Sequence, residues 1–140
     1  MRNDIKLLLA EDDRGHYVLT KHCLKKACVE NELLWFTDGE KTMNFLFARS
    51  KEPAIDHNNL YILLLDIRMP KVDGITILEK IKQDDQLKDI PVIIVTTSNS
   101  PANIGKCSRL GCIDYVVKPL GENLIDAIEK ASNTFQICPA

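Results

Sequence analysis

The sequence contains no apolar run long enough to cross a membrane, and its first residues do not form a signal peptide. It also lacks a large excess of charge: the formal net charge is -2, so nothing draws it broadly to nucleic acid or to an anionic membrane. No repeat, low-complexity tract or interdomain linker interrupts its 140 residues, a normal length for one domain. We therefore expect one cytoplasmic domain over residues 1–140.

The cysteines do not form the pattern of a disulfide framework or a zinc site. There are five, an odd number, which favours reduced thiols in a chain without a signal peptide. Two pairs have four residues between their members, but the first pair falls in a helical pattern, where an offset of five residues points the side chains in different directions. We expect small buried or half-buried thiols at Cys23, Cys28, Cys107 and Cys112, and an exposed thiol at Cys138.

Short apolar runs alternate with helix-like stretches along the whole chain. The runs are continuous in Leu, Ile and Val, which is typical of parallel strands that are buried on both faces of a sheet. The predicted strands contain Leu7–Ala10, Leu33–Phe36, Ile62–Leu65, Val92–Val95 and Tyr115–Val117.

Five helices are predicted between and after these strands, and Asp13 is a candidate N-cap for the first. Polar residues 49–59 form a long connection for a compact α/β domain, more simply a solvated loop than a partner-recognition insert. We expect His16 and His22 to be surface or capping residues. The predicted helices are His16–Val29, Glu40–Ala48, Gly74–Lys82, Pro101–Leu110 and Glu122 to about Phe135.

Polar residues follow four of the apolar runs. Glu11 and Asp12 follow the first, Asp66 the third, and Lys118 the fifth, while Thr96 closes the fourth. If the strands are parallel, these residues meet at the carboxyl edge of the sheet, where such sheets bind ligands. Three carboxylates this close repel one another unless a cation neutralises them, and Mg²⁺ is a hard ion that prefers oxygen ligands. The sequence therefore predicts a magnesium site at this edge.

The same residues are suited to moving a phosphoryl group. An aspartate such as Asp66 can attack phosphorus and form an acyl phosphate. Lys118 supplies a compact positive charge and Thr96 a hydroxyl donor to the phosphoryl oxygens. Pro119 restricts Lys118 to extended geometry, and a cis Lys118–Pro119 bond would help to aim the ammonium.

At these positions the chain resembles the receiver domain of two-component response regulators. The resemblance covers roughly residues 5–135 and is highly specific. It is carried by Leu-Ala-Glu11-Asp12, Leu-Leu-Asp66-Ile-Arg-Met69-Pro70-Lys-Val-Asp73-Gly74, Ile-Val-Thr96-Thr97-Ser98 and Tyr115-Val-Val-Lys118-Pro119.

The resemblance implies a fold and a set of roles. The fold is α/β, a flavodoxin-like doubly wound sheet of five parallel strands in the order 2-1-3-4-5 with helices on both faces. Asp66 is implied as the phosphoacceptor, and Thr96 and Lys118 as phosphate ligands. The implied metal ligands are Glu11, Asp12, Asp66 and the backbone carbonyl of Arg68, Tyr115 is the implied aromatic switch, and Thr97 and Ser98 are neighbours of the phosphate pocket.

The 49–59 loop and residues 82–91 resemble a subgroup of stand-alone receivers that includes partners of bacterial phytochrome kinases. No effector domain is expected, so output must pass through protein contacts or onward phosphotransfer. The implied partner is a sensor histidine kinase or a histidine phosphotransfer protein. A homodimer through the face formed by the fourth helix, fifth strand and fifth helix is a further expectation.

Several other functions are compatible with parts of the pattern. The chain could be a relay intermediate or a phosphate sink, or an interaction module that is never phosphorylated. A flavin-binding electron carrier would need an uncharged phosphate loop where Glu11, Asp12 and Asp13 stand. A phosphatase of the haloacid dehalogenase type would need a second acid two residues after Asp66, where Arg68 stands. We therefore expect a signalling phosphoacceptor and not an enzyme with multiple turnovers.

Overall fold

The computed structural model describes residues 2–49 and 54–136 of the chain, in which strands and helices alternate. The strands are β1 (Ile5–Ala10), β2 (Leu33–Phe36), β3 (Leu60–Leu65), β4 (Val92–Thr96) and β5 (Asp114–Val117). The helices are α1 (Arg14–Lys26), α2 (Gly39–Leu46), α3 (Gly74–Lys82), α4 (Pro101–Leu110) and α5 (Glu122–Asn133), and a short 3-10 turn (Thr134–Gln136) follows α5.

All five strands are parallel and lie in the order β2-β1-β3-β4-β5, as predicted. β1 pairs with β2 on one side and with β3 on the other, so the order of the strands reverses at β1. The carboxyl ends of β1 and β3 therefore flank the position where open parallel sheets bind ligands.

The sheet separates two apolar cores. Alternate strand residues such as Leu8, Leu63 and Ile94 pack against α2, α3 and α4. Their neighbours Leu7 and Leu64 face the opposite way and pack against α1 and α5. Both faces of the central strands are thus buried, which explains why those strands read as continuous apolar runs and confirms the doubly wound fold.

The helix limits agree with the predicted ones to within a few residues. α3 and α4 coincide with prediction, and Gly111 caps the C-terminus of α4 with a φ of 92°, the left-handed conformation that glycine adopts easily. The Asp13 carboxylate accepts the backbone N–H of His16 at 3.0 Å, so Asp13 caps α1 as predicted.

Among the described residues, no helix combines the length and apolar character that crossing a bilayer requires.

The second half of the 49–59 loop is tied to the body of the domain. The N–H of Ile55 donates to the carbonyl of Phe45 at 3.0 Å, and the N–H of Asp56 donates to the Tyr61 hydroxyl at 3.1 Å. Residues 50–53 lie outside the described part, as do Ile137 and Cys138, so the role of the loop stays a prediction. The thiols of Cys23, Cys28, Cys107 and Cys112 are free, as expected, and three of them are buried or half-buried. The prediction for Cys28 is wrong in this respect, because Cys28 lies just after α1 and is exposed.

Gly74 lets the loop after β3 fold tightly against the start of α3. Its N–H donates to the carbonyl of Ile67 at 2.8 Å. A Cβ at this position would lie 2.1 Å from the backbone oxygen of Asp66, far inside contact distance. The absence of a side chain at Gly74 is therefore a condition for the backbone course at Asp66.

We predict that Gly74→Ala lowers the free energy of unfolding by about 1–3 kcal/mol, because backbone atoms must move apart to admit the methyl group. Gly121→Ala is the matched control, since a Cβ there meets nothing within 4 Å. The control should change stability by no more than about 0.5 kcal/mol. Urea denaturation of both variants measures the difference. Equal stabilities would show that the backbones of Gly74 and Asp66 are not in close contact.

Candidate functional site

The sheet fixes the backbone of the three charged residues at its carboxyl edge. The N–H of Glu11 donates to the carbonyl of Phe36 at 3.0 Å, and the N–H of Asp66 donates to the carbonyl of Ala10 at 3.1 Å. The N–H of Lys118 donates to the carbonyl of Thr96 at 2.8 Å. Each of these residues thus continues the hydrogen-bond ladder of the sheet just beyond its own strand.

The side chains of these residues form one buried charge cluster. The Lys118 ammonium lies 2.5 Å from Glu11 Oε1 and 3.2 Å from Asp66 Oδ2. The side chains of Glu11, Lys118 and Asp66 are 2%, 7% and 9% exposed, so water screens the charges little. One ammonium therefore faces two carboxylates, and the cluster has a net negative charge when both acids are ionised.

Burial raises the pKa of the Glu11 carboxyl, and the negative charge of Asp66 adds to the increase. The hydrogen bond and the positive charge of Lys118 act in the opposite direction but do not cancel the effect of burial. The folded protein thus disfavours the ionised form of Glu11 relative to a glutamate in water. A further cation at this position would relieve that cost.

Asp66 is held through both carboxylate oxygens. Oδ2 accepts from Lys118, and Oδ1 accepts the backbone N–H of Arg68 at 3.2 Å. The side chain of Arg68 is exposed, two residues after Asp66 on the turn into α3. The predicted acceptor is therefore oriented before any reaction, which is what a positioned nucleophile requires.

Thr96 and Tyr115 both contact the β4–α4 loop through Ser98. The buried Thr96 hydroxyl accepts the N–H of Ser98 at 3.3 Å, and the Tyr115 hydroxyl donates to the carbonyl of Ser98 at 2.8 Å. Burial raises the pKa of Tyr115, and its ring is half-buried against the α2–α3–α4 core. The two predicted switch residues are therefore linked by one peptide segment, while the neighbouring Thr97 is exposed.

The prediction of His16 as a surface or capping residue is incomplete, because its side chain, 36% exposed, also reaches the site. His16 Nδ1 is 2.9 Å from the Lys118 ammonium and 3.6 Å from Glu11 Oε1. Ligand atoms of Glu11, His16 and Asp66 all lie within 4.8 Å of one another. Asp12, the predicted metal ligand next to Glu11, is exposed and does not belong to that group. The first turn of α1 starts directly at the carboxyl edge, which was the available signal for His16.

Trp35 is a second residue that the sequence did not single out. Its Nε1–H donates to the backbone carbonyl of Glu11 at 2.7 Å, and its ring stacks on Tyr17 with centroids 3.9 Å apart. It therefore fixes the backbone that carries Glu11.

Beside the cluster a cavity of about 470 Å³ opens between α1 and the β5–α5 loop, lined by Leu19, His22, Thr97 and Lys118 among others. The Lys118–Pro119 peptide bond is cis.

Comparison with known proteins identifies the family. Residues 7–129 match the model of the response regulator receiver domain. The chain is 36% identical over 112 residues to the response regulator Rcp1 of Synechocystis sp., an alignment that covers 80% of this chain and 75% of Rcp1. It is 31% identical over 125 residues to a probable methanogenesis regulatory protein, FilR2, of Methanothrix harundinacea, covering 89% of this chain and 79% of FilR2.

Solved structures agree with these relatives. The bacteriophytochrome response regulator AtBRR superposes with a TM-score of 0.77 at 29% identity, covering 94% of each chain. A response regulator receiver domain from Rhodospirillum rubrum gives a TM-score of 0.77 at 32% identity, covering 96% of each chain. The chain therefore belongs to the response regulator receiver family and is close to its phytochrome-associated members.

Proposed function

We propose that this chain is a phosphoacceptor that takes a phosphoryl group onto Asp66 and thereby changes a protein-interaction surface. The observation that carries the proposal is the oriented Asp66 carboxylate, which is held by the Lys118 ammonium and the N–H of Arg68 at the edge where the strand order reverses. Membership of the receiver family supports the same function, with a histidine kinase or histidine phosphotransfer protein as the donor.

In the proposed reaction, a carboxylate oxygen of Asp66 attacks the phosphorus of a phosphohistidine. The new O–P bond forms as the P–N bond breaks, and the electron pair of that bond returns to the imidazole of the donor. Lys118, already at Asp66, then contacts the oxygens of the transferred group and offsets their charge. The exposed Thr97 and the cavity beside Lys118 leave an approach for the donor.

A divalent cation fits this donor set. Glu11 and Asp66 present carboxylate oxygens, whose charge Lys118 alone does not balance. When bound, Mg²⁺ would neutralise charge on the transferring phosphoryl oxygens. We propose Glu11, Asp66, the neighbouring Asp12 and the carbonyl of Arg68 as its protein ligands. Rcp1 has been solved in a Mn²⁺-bound form, at a TM-score of 0.71 and 29% identity to this chain.

The surroundings of Asp66 favour a phosphoacceptor over an enzyme with multiple turnovers. A phosphatase of the dehalogenase type needs an acid two residues after its nucleophilic aspartate. Here that position carries Arg68, whose side chain cannot accept a proton.

We propose the surface formed by α4, β5 and α5 as the output face, because Thr96 and Tyr115 both form hydrogen bonds with the loop that leads into α4. The homodimer through this face stays a prediction.

The first prediction from this proposed function concerns the acceptor. Asp66→Asn should fold and gain no phosphate when the protein is treated with Mg²⁺ and a small phosphodonor, because the amide oxygen can keep the Arg68 hydrogen bond but the amide is a poor nucleophile. Asp73→Asn, a change at the exposed cap of α3, is the control and should gain one phosphate as the parent does. Intact-protein mass spectrometry measures the added phosphate. Undiminished labelling of Asp66→Asn would contradict the assignment of Asp66 as the phosphoacceptor.

A second prediction concerns pH. Because the pKa of Glu11 is raised above its ordinary 4.5, the folded state binds the Glu11 proton more tightly than the unfolded state. Stability from this group is therefore present at low pH and lost as pH rises above about 4.5. Without divalent ions, the free energy of unfolding should fall less toward neutrality in Glu11→Gln than in the parent. Glu30→Gln, at an exposed position, should follow the parent.

Binding of Mg²⁺ should restore, at neutral pH, the free energy of unfolding that is lost when Glu11 ionises. At a concentration ten times its Kd, a ligand that binds only the folded state adds about 1.4 kcal/mol to the free energy of unfolding. Parent and Glu30→Gln should show this gain in urea denaturation, and Glu11→Gln should show less. Parallel pH curves for the parent and Glu11→Gln would contradict the role given to Glu11.

A third prediction concerns switching, which works only if phosphorylation stabilises one of two states more than the other. Fluorotyrosine labelling gives three ¹⁹F signals, from Tyr17, Tyr61 and Tyr115, and the buried Tyr61 at the amino-terminal half of β3 serves as an internal reference. Phosphorylation should shift the Tyr115 signal, because its bond to Ser98 must change when the loop moves toward the phosphate.

Thr96→Ala should still accept phosphate but show little or no shift of Tyr115, because no hydroxyl remains at position 96 to pull on the loop. Thr96→Ser keeps the hydroxyl and is the matched control. If Tyr115 shifts equally in Thr96→Ala and the parent, the coupling does not run through Thr96.

A further inference from the structure

Lys118 lies where the sheet stops supporting its backbone. β5 is an edge strand with β4 as its neighbour, and the Lys118 N–H continues their ladder by donating to the Thr96 carbonyl. The next residue is Pro119, which has no N–H and cannot extend the ladder. The backbone on the carboxyl side of Lys118 therefore needs another anchor if the ammonium is to stay at Glu11 and Asp66.

The side-chain amide of Asn123 supplies such an anchor. Its Nδ2 donates to the carbonyl of Val117 at 3.2 Å and to the carbonyl of Pro119 at 3.4 Å. These two carbonyls belong to the residues immediately before and after Lys118. One amide group thus holds the chain on both sides of the lysine.

The oxygen of the same amide holds the start of α5. Asn123 Oδ1 accepts the N–H of Gly121 at 2.8 Å and the N–H of Leu124 at 2.9 Å. Gly121 occupies the N-cap position of α5 and has no side chain with which to cap the helix. The orientation of the amide follows from its partners, because N–H groups face its oxygen and carbonyls face its nitrogen. Asn123 therefore ties the first turn of α5 to the segment that carries Lys118.

We propose that Asn123 is a positioning residue that holds Lys118 at the phosphoryl site through the two hydrogen bonds that its Nδ2 donates. A shift of the Lys118 backbone would draw its ammonium away from the acceptor atoms of Glu11, His16 and Asp66. A positive charge stabilises a transition state best when it is already in place before the reaction. The inference rests on the proposed function in one respect, that the reaction is transfer of a phosphoryl group to Asp66.

Two substitutions separate the anchor from the helix cap. Asn123→Ala removes both. Asn123→Asp keeps an oxygen for the N–H groups of Gly121 and Leu124 and adds a negative charge that a helix N-terminus stabilises, but a carboxylate cannot donate to the two carbonyls beside Lys118. Glu122→Gln, a change at the exposed neighbouring position of α5, is the control.

The rate of phosphorylation is measured at saturating Mg²⁺ with phosphoramidate, a small donor that releases ammonia, so contacts with a protein donor play no part. Both Asn123 variants should react about 10- to 100-fold more slowly than the parent, since a displacement of about 1 Å can cost that much. Glu122→Gln should match the parent. A parent-like rate in either Asn123 variant would overturn the proposal, because the donated bonds or the neutral loss of them would then have no effect.

Mg²⁺ affinity distinguishes positioning of Lys118 from a general loosening of the site. A displaced ammonium leaves Glu11 and Asp66 with less positive charge, so both Asn123 variants should bind Mg²⁺ at least as tightly as the parent. Trp35, the only tryptophan, donates to the Glu11 carbonyl, and its fluorescence follows the titration. A rate and an affinity that fall together would give Asn123 a general structural role and overturn the proposal.

NMR of the Lys118 ammonium gives a readout that does not depend on phosphorylation. Its side chain is 7% exposed and has three acceptors, so its protons should exchange slowly with water and give a ¹H–¹⁵N signal that is missing from Lys118→Arg. The signal should weaken sharply in both Asn123 variants, and an unchanged signal rejects the positioning role. If the parent shows the signal but takes no phosphate, the proposed function fails while the positioning of Lys118 stands.

Discussion

The structure depends on placing two carboxylates and one ammonium together out of water at the edge of the sheet. Burying charges is costly unless they are paired, and here the pairing is incomplete, because one ammonium faces two carboxylates. The protein tolerates this because the ladder fixes the backbones of Glu11, Asp66 and Lys118, and the apolar cores on both faces of the sheet stabilise the strands that carry them.

Much of this arrangement could be predicted, because it follows from strand order. Continuous apolar runs identify buried parallel strands, and the residue after each run must then lie at the carboxyl edge. That reasoning places Glu11, Asp66 and Lys118 together at one edge, as the structure does. The limits of α3 and α4 were also predictable, since proline opens α4 and Gly111 closes it.

The parts that escaped prediction depend on side-chain directions that spacing does not encode. Asp12 and Glu11 are adjacent, yet one is exposed and the other buried, because successive residues at a strand end point to different sides. His16 enters the site only because the β1–α1 loop is short enough to bring the first turn of α1 over Lys118. Trp35 acts through a backbone carbonyl, which no pattern of side chains reveals.

The charge balance of the site links its chemistry to its switch. Lys118 has three donors, and all three are engaged, by Glu11, His16 and Asp66. Transfer of a phosphoryl group to Asp66 would add negative charge beside the Lys118 ammonium, whose own backbone N–H donates to the Thr96 carbonyl. Movement of the ammonium toward the new oxygens would then free lone pairs on Glu11 and His16.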